Sequence, residues 1–529
     1  MNFIEIDSLL LLENKLSLSL ACVLGLAIPW AVAITLYRLY LHPLSAFPGP
    51  ALAGATGWYE TYYEVYKRGK MVEKLEALHK RYGPVVRMGP NKLHFSDVAA
   101  YDAIYTNRDF RKTSQFYDVF LASEASFGTV DNKFAKARRD LLRSFFSRKG
   151  VLKLENVIQD TIDRLIISLA NKVGSPKPLD LHRVFSCITM EVISAYCFAK
   201  HYDAINYPDY AYPVALALHM SNRMGCVAQH FPIVLDALFS LPDWLVRFVS
   251  PDALAFPDFR RTLDDHIEKI LKDPTTLEQA EHDTIFHHML NPKSGQEVPS
   301  EKSLKQEAAV LIAAGTETTA NACAHAVFHV LTNPHVKERL KKELVEAWPD
   351  VEAPISLERL EKLPYLSAVA HEALRFSHGV TAVLPRAVPE ATEIAGVVVP
   401  KGTIVHMGAT FVHRNADIFP DPLTFRPERW IEKGSSDLGE LPSSVLQGSE
   451  GVPRRQVCDQ RSLHMPRFVL TPTPDSLAWA EIFLILGNVF RKVDLEIVDT
   501  TLQDLSDFEA YVLPIQQIPV KACVKRVEG

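Results

Sequence analysis

Ala313-Ala314-Gly315-Thr316-Glu317-Thr318-Thr319 stands in the middle of the longest helical pattern of this 529-residue chain. The pattern opens at Ser303 and Gln306, spaced as an S-x-x-Q capping box, and stops at Asn333-Pro334. A helix of about 30 residues fits between them, about 45 Å long. Ala308, Val310, Leu311, Ile312, Ala322, Ala326 and Val327 leave it apolar on most sides, which predicts burial at the centre of a large body. A glycine, three threonines and a carboxylate suit a helix interior poorly, by about 2–3 kcal/mol relative to alanines. Two readings stand side by side. Small residues let a flat ligand approach the backbone while a Thr hydroxyl beside a carboxylate passes protons inward, or the segment is a kink whose hydroxyls bond back to the preceding turn.

Outward from this helix, Glu372 and Arg375 are three residues apart in the predicted helix Pro364–Phe376 and share a face. An isolated E-x-x-R is ordinarily a solvated surface pair. Downstream, however, Phe425-Arg426-Pro427-Glu428-Arg429-Trp430 offers a second arginine on a proline-fixed turn. A buried Glu372 held by Arg375 and Arg429 would fix geometry rather than add net stability. His371-Glu372 is not a zinc-protease motif, because H-E-x-x-H needs a histidine where Arg375 stands.

Further helical patterns lie around 134–147, 152–173, 181–199, 213–228 and 259–272. Val85–Met88 and Lys92–Phe95 flank Gly89-Pro90-Asn91 and predict a β-hairpin; a second β-rich stretch runs from about 383 to 407. Polar Pro/Gly/Ser-rich sequence covers about 433–476, and a last apolar helix starts near Leu477. The expectation is a mainly α fold with a minor β-sheet in one large domain. Lys and Arg number 57 against 63 Asp and Glu, a net charge of −6 that argues against a nucleic-acid partner. At 47% hydrophobic and 23% charged residues the chain is neither disordered nor an all-membrane transporter. Its seven cysteines are scattered without a C-x-x-C, which excludes a disulfide scaffold and a cysteine-rich zinc module.

Leu16 to Tyr37 is a run of 22 residues without a charge. As a helix it would be about 33 Å long, enough to cross a bilayer core. The expectation is a membrane anchor over residues 1–40 and a body over 41–529. Glu5, Asp7, Glu13 and Lys15 precede the run, and Arg38, Lys67, Arg68 and Lys70 follow it, which places the body on the cytosolic side. No basic segment leads the run and Tyr37–Pro43 offers no small-residue cleavage site, both unlike a removed signal peptide. Phe47-Pro48-Gly49-Pro50 then forms a stiff turn at the exit.

The A-G-x-E-T-T helix, the E-x-x-R helix and the F-x-P-E-R-W segment, in this order and spacing, resemble the cytochrome P450 family over nearly the whole chain. The anchor followed by P-G-P resembles its microsomal type. FGTVDNKFAKARRDLLRSFFS and LYRLYLHPLSAFPGP look most like fungal members that decorate terpenoid or polyketide products. The resemblance implies a haem-thiolate monooxygenase carrying haem b and inserting one oxygen atom from dioxygen into a lipophilic substrate. Its electrons would come from NADPH through a separate cytochrome P450 reductase, and it would sit in the endoplasmic reticulum membrane with a single span. Glu317 and Thr318 match the acid–alcohol pair that delivers protons during dioxygen activation. Arg139, in FAKARRD, and Arg386, in LPRAV, match the residues that hold the haem carboxylates, although Ala135 stands where family members usually carry Trp or His. Phe116–Phe127 and Val214–Val249, with Phe231, Leu235, Leu238, Phe239 and Trp244, resemble the variable access regions.

The cysteine of the family's F-x-x-G-x-R-x-C-x-G motif stands five residues before an L-A-x-x-E-I helix, here Leu477-Ala478-Trp479-Ala480-Glu481-Ile482. Pro472 occupies that position and cannot ligate iron. The cysteine ahead of the helix is Cys458, with Gly451, Arg454, Gln456 and Gln460 at the other motif positions. It lies 29 residues beyond Arg429, a suitable distance for the axial iron ligand, and Arg454 and Arg455 favour its thiolate. Three readings of this loop remain: Cys458 ligates the haem iron from a rebuilt loop; the chain is a haem-free, inactive relative acting as a membrane-bound binding or scaffolding protein; or residues 447–476 translate a retained intron or shifted frame.

Overall fold

The computed structural model describes residues 25–432 and 477–528, apart from 106, 108, 250–253, 279, 281 and 294. Residues 16–24 of the expected anchor, the whole 433–476 stretch and Cys458 lie outside the described residues. From 25 to 36 the chain is helical, and it continues as a π-helical turn over Tyr37–Leu41. Leu26, Ile28, Trp30 and Leu36 are all exposed along it. Among the described residues no helix is long and apolar enough to cross a membrane.

Six helices position the site: α1 (Asn132–Leu142), α2 (Leu181–Phe198), α3 (Pro213–His230), α4 (Glu301–Leu331), α5 (Pro364–Phe376) and α6 (Leu477–Lys492). Short acidic caps start two of them. The Asp131 carboxylate accepts from the Lys133 and Phe134 amides ahead of α1, and Asp180 accepts from His182 and Arg183 ahead of α2. The pattern around 134–147 is broken in two, because Ser147 caps a separate helix, Arg148–Leu152.

Helix α4 is an unbroken α-helix of 31 residues, so Gly315 and its threonines do not kink it. Its cap is Ser300, whose hydroxyl accepts from the Ser303 amide at 3.1 Å, not the Ser303–Gln306 box. Those two side chains are used elsewhere: Ser303 Oγ donates to Glu124 O and Gln306 Oε1 accepts from the Glu124 amide, both at 2.6 Å. Gly315 has a packing role. A Cβ there would stand 2.8 Å from Ile193 Cγ1 on α2, so the glycine lets the two helices close rather than opening the backbone to a ligand. Around α4 the main core gathers α2, α5 and α6 through Ile188, Val327, Leu366 and Phe483, all buried.

The larger sheet has five strands: β1 (Val85–Gly89), β2 (Lys92–Phe95), β3 (Arg111–Lys112), β4 (Arg386–Ala387) and β5 (Ile404–His406), in the order β1-β2-β5-β4-β3. β1 and β2 form an antiparallel hairpin, β2 pairs with β5 in parallel, and β4 is antiparallel to both β5 and β3. Between β4 and β5, Thr392–Ile394 and Val397–Val399 form a separate hairpin about Ala395-Gly396, both at positive φ. A smaller sheet joins Leu179–Asp180, Lys521–Val527 and Val493–Ile497.

Candidate active site

Glu372 on α5 is fully buried and fully bonded. Arg375 Nε and Nη2 donate to its two oxygens at 2.9 and 2.8 Å. Arg429 Nε and the Arg426 amide reach Oε1 at 3.1 and 2.9 Å, and Trp430 Nε1 reaches Oε2 at 2.9 Å. Both arginines go on to main-chain carbonyls, Arg375 to His413 and Pro422, Arg429 to Pro420 and Thr424. Burial works to raise the Glu372 carboxyl, but Arg375 and its other donors outweigh it and hold the group below its ordinary value. The carboxylate therefore ties α5 to the 413–430 segment that leads toward the last helix.

In α4, Val310, Ala314 and Thr318 follow one another at four-residue spacing and are only half-buried, whereas most of the helix is covered. Thr318 Oγ1 donates to Ala314 O at 2.8 Å along this same face. Glu317, one residue earlier, points about 100° away around the helix. It is buried against α2 and α3, where Oε1 accepts from Ser186 Oγ at 3.2 Å and Oε2 lies 3.1 Å from His219 Nδ1 and 3.6 Å from His182 Nε2. Burial would raise the Glu317 carboxyl, yet His182, His219 and the Ser186 hydroxyl keep it below its usual range. The same burial lowers His182, while the bond to Glu317 overcomes it and raises His219. Glu317 and Thr318 are thus sequence neighbours that serve different sides of α4.

Arg386 is buried on β4, and Lys112 on β3 is its cross-strand partner. Arg386 Nη1 donates to Tyr117 Oη and Pro385 O at 2.8 and 3.0 Å. The Lys112 ammonium donates to Phe127 O and stands 4.9 Å from the Tyr117 ring centre. Burial, then Arg386, then Arg139 of α1, push Lys112 down to about 7. Arg139 is half-buried, and Ala135, one turn before it, is buried. Three basic groups converging in a low-dielectric site suit a dianionic group. Arg386 makes both of these bonds through Nη1, so among the described residues Nε and Nη2 remain for an anion. Lys112 escaped the sequence reading. Its pairing with Arg386 joins two-residue strands 274 positions apart, too short for an alternation pattern to mark them.

A pocket beside the larger sheet is lined by Phe116, Val119 and Phe120, by Gly225 and Cys226 of α3, and by Val383, and it also bears the polar groups Glu60, Glu64, Lys92 and His406. The first of the two expected access stretches reaches it directly. The second contributes α3, while Phe239 and Trp244 lie at the surface, Trp244 being 71% exposed, Phe231 is half-buried and Leu238 is buried.

A central helix bearing A-G-x-E-T-T, a caged E-x-x-R glutamate and a buried basic cluster are joined here in a mainly helical body with minor sheets. The cytochrome P450 family model matches residues 53–442, and the chain belongs to that family. It is 32% identical to cytochrome P450 monooxygenase orf6 of Eupenicillium brefeldianum over 507 residues, 95% of this chain and 97% of the relative. Tryptophan 6-hydroxylase fscE of Fusarium equiseti is 32% identical over 88% of this chain and 89% of its own length. Cytochrome P450 monooxygenase TRI4 of Trichoderma arundinaceum is 31% identical over 90% and 89%. The chain is accordingly a cytochrome P450 monooxygenase of the fungal secondary-metabolite type.

Proposed function

We propose that the protein is a membrane-tethered haem-thiolate monooxygenase acting on a lipophilic terpenoid or polyketide intermediate. The observation that carries this reading is the facing, buried Lys112–Arg386 pair with Arg139 nearby, three cations against the one buried carboxylate of Glu307, which calls for a further anionic partner in the core. Lys112, Arg386 and Arg139 would hold the propionates of haem b, and Cys458 would supply the thiolate its iron needs. Bound haem supplies the one-electron chemistry by which dioxygen is split and one atom is placed in the substrate. Of the five described cysteines, Cys187, Cys197, Cys226 and Cys323 are buried, and burial pushes these thiols up, away from the thiolate an iron ligand requires; the half-buried Cys523 is held in the small sheet, on the strand Lys521–Val527.

The chain's own groups move the protons. His219, at the half-buried end of the triad, passes a proton from solvent to Glu317 Oε2. The carboxyl then swings from α2 and α3 toward the Thr318 face, and the Thr318 hydroxyl relays the proton there. The pocket formed by Phe116, Val119, Phe120 and Val383 desolvates an apolar substrate and orients it.

The uncharged run from Leu16 to Tyr37 supports a single membrane span. Exposed Trp58, Tyr66, Ile233, Trp244 and Phe248 on the body support its resting on the same bilayer. Electrons reach it from NADPH through a membrane-bound cytochrome P450 reductase, with the body in the cytosol on the endoplasmic reticulum surface. Co-expression with that reductase and a candidate biosynthetic pathway, under labelled dioxygen, tests the reading. A product carrying one labelled atom supports it; NADPH consumption without any oxygenated product across the pathway's intermediates counts against it. Deletion of residues 1–40 is expected to move the protein out of the membrane fraction.

A further inference from the structure

Glu317 faces two imidazoles where a single ion pair needs one. His182 comes from α2, His219 from α3 and Glu317 from α4, so three separate helices bring their donors to one point. Oε2 lies 3.1 Å from His219 Nδ1 and 3.6 Å from His182 Nε2, and the three ligand atoms all fall within 4.8 Å of one another. A tetrahedral zinc with bonds near 2.0–2.1 Å sets its donors about 3.3 Å apart. The two spacings to Oε2 bracket that value.

The surrounding groups orient the donors as a metal site requires. Ser186 Oγ stands 3.4 Å from His182 Nδ1 and 3.2 Å from Glu317 Oε1. A proton on His182 Nδ1, directed at this hydroxyl, leaves the Nε2 lone pair facing Glu317, and the hydroxyl's own proton fixes the carboxylate. The rings of His182 and His219 lie with centroids 4.8 Å apart and inclined by 58°, so the two imidazoles are neighbours without being stacked. The His219 side chain keeps 31% exposure, which gives an ion its entry path and a water the fourth position.

We propose that His182, His219 and Glu317 form a binding site for a divalent transition-metal ion of the zinc class. Binding releases the proton shared between His219 and Glu317. It also removes the carboxylate from proton delivery, a consequence that rests on the function proposed above, so the ion acts as an inhibitor without touching the haem.

The second cluster of ligating groups, Glu64, Cys226 and His230, is less suited. His230 is spent on Glu64 at 2.6 Å and on Thr61 at 2.9 Å, and the Cys226 thiol, held protonated by burial, donates to the Glu64 carbonyl. It supplies the control.

The test is cobalt(II) and zinc titration of the purified, haem-loaded full-length protein, followed by visible absorption and calorimetry. One tetrahedral cobalt site that zinc displaces is expected, weakened at least tenfold by His182→Asn and by His219→Asn but unaffected by Cys226→Ser. His219 is the more exposed of the two histidines and carries the test should the His182 variant fail to fold. The absence of a tetrahedral site, its survival in the His219 variant, or its loss in Cys226→Ser overturns the proposal. Zinc is further expected to slow product formation in step with occupancy, with at least tenfold lower sensitivity in His219→Asn. A site that fills with no change in product formation leaves the metal assignment standing and refutes the proton-delivery role of Glu317.

Discussion

Lys112 and Arg386 face each other in register across the antiparallel β3–β4 pair, both buried. Like charges placed directly opposite destabilise a sheet. The anion proposed above, held in common by the pair, would account for their persistence in the core. Lys112→Met is therefore expected to leave the haem-free fold as stable as before, or more so, while haem dissociates about tenfold faster. Thermal unfolding of the haem-free protein and haem transfer to apomyoglobin measure the two effects.

The depressed Lys112 gives a pH signature of its own. Its folded value of about 7 lies below that of the unfolded chain, so the unfolded state binds more protons between about pH 7 and 10. The haem-free protein gains stability as pH rises through that window. Haem binding restores the ammonium and takes up a proton, so haem affinity is expected to fall as pH rises from 7 to 10. Haem transfer rates at both ends of the range check this.

Arg375 joins Glu372 to two main-chain carbonyls through bonds of 2.7–2.9 Å. Arg375→Ala strands a buried carboxylate and is expected to destabilise the fold by about 3–5 kcal/mol. Trp430→Phe removes one bond to the same carboxylate, with a loss of about 1 kcal/mol. Denaturant midpoints distinguish a cage of this kind, graded in its losses, from a surface pair whose variants change little.

Glu317→Gln and Thr318→Ala are expected to waste reducing equivalents as peroxide, with product formation down by up to about 10²-fold for Glu317→Gln. Thr318→Ser keeps the hydroxyl and is expected to preserve coupling. NADPH consumed per product formed is the measurement, and unchanged coupling in both variants contradicts the assigned roles.

Acid sensitivity is expected from buried neutral histidines. Burial lowers His325 and His406 to about 3. Their folded values lie below the unfolded 6.5, so the stability they protect is complete above pH 6.5 and is lost as pH falls toward 3. At pH 5 each costs about 2 kcal/mol. His406→Phe is expected to flatten the pH dependence of the unfolding midpoint between pH 6.5 and 5.

The central helix and the E-x-x-R pair were legible because each is a local pattern: apolar periodicity for one, a shared helical face for the other. Gly315 was misjudged because the neighbour that demands it, Ile193, is 122 positions away. The helix start was placed late because Ser303 and Gln306 spell a capping box, while tertiary bonds to Glu124 claim both side chains. His182 and His219 carry no motif, and only the convergence of α2 and α3 on Glu317 brings them together. Lys112 depended in the same way on a long-range strand pairing.

The central claim is a sulfur–iron bond from Cys458, and the absorption spectrum of the reduced, carbon-monoxide-treated full-length protein tests it most directly. The account predicts a strongly red-shifted Soret band that Cys458→Ser abolishes. A folded protein that binds no haem, or a red-shifted band that survives Cys458→Ser, would contradict it.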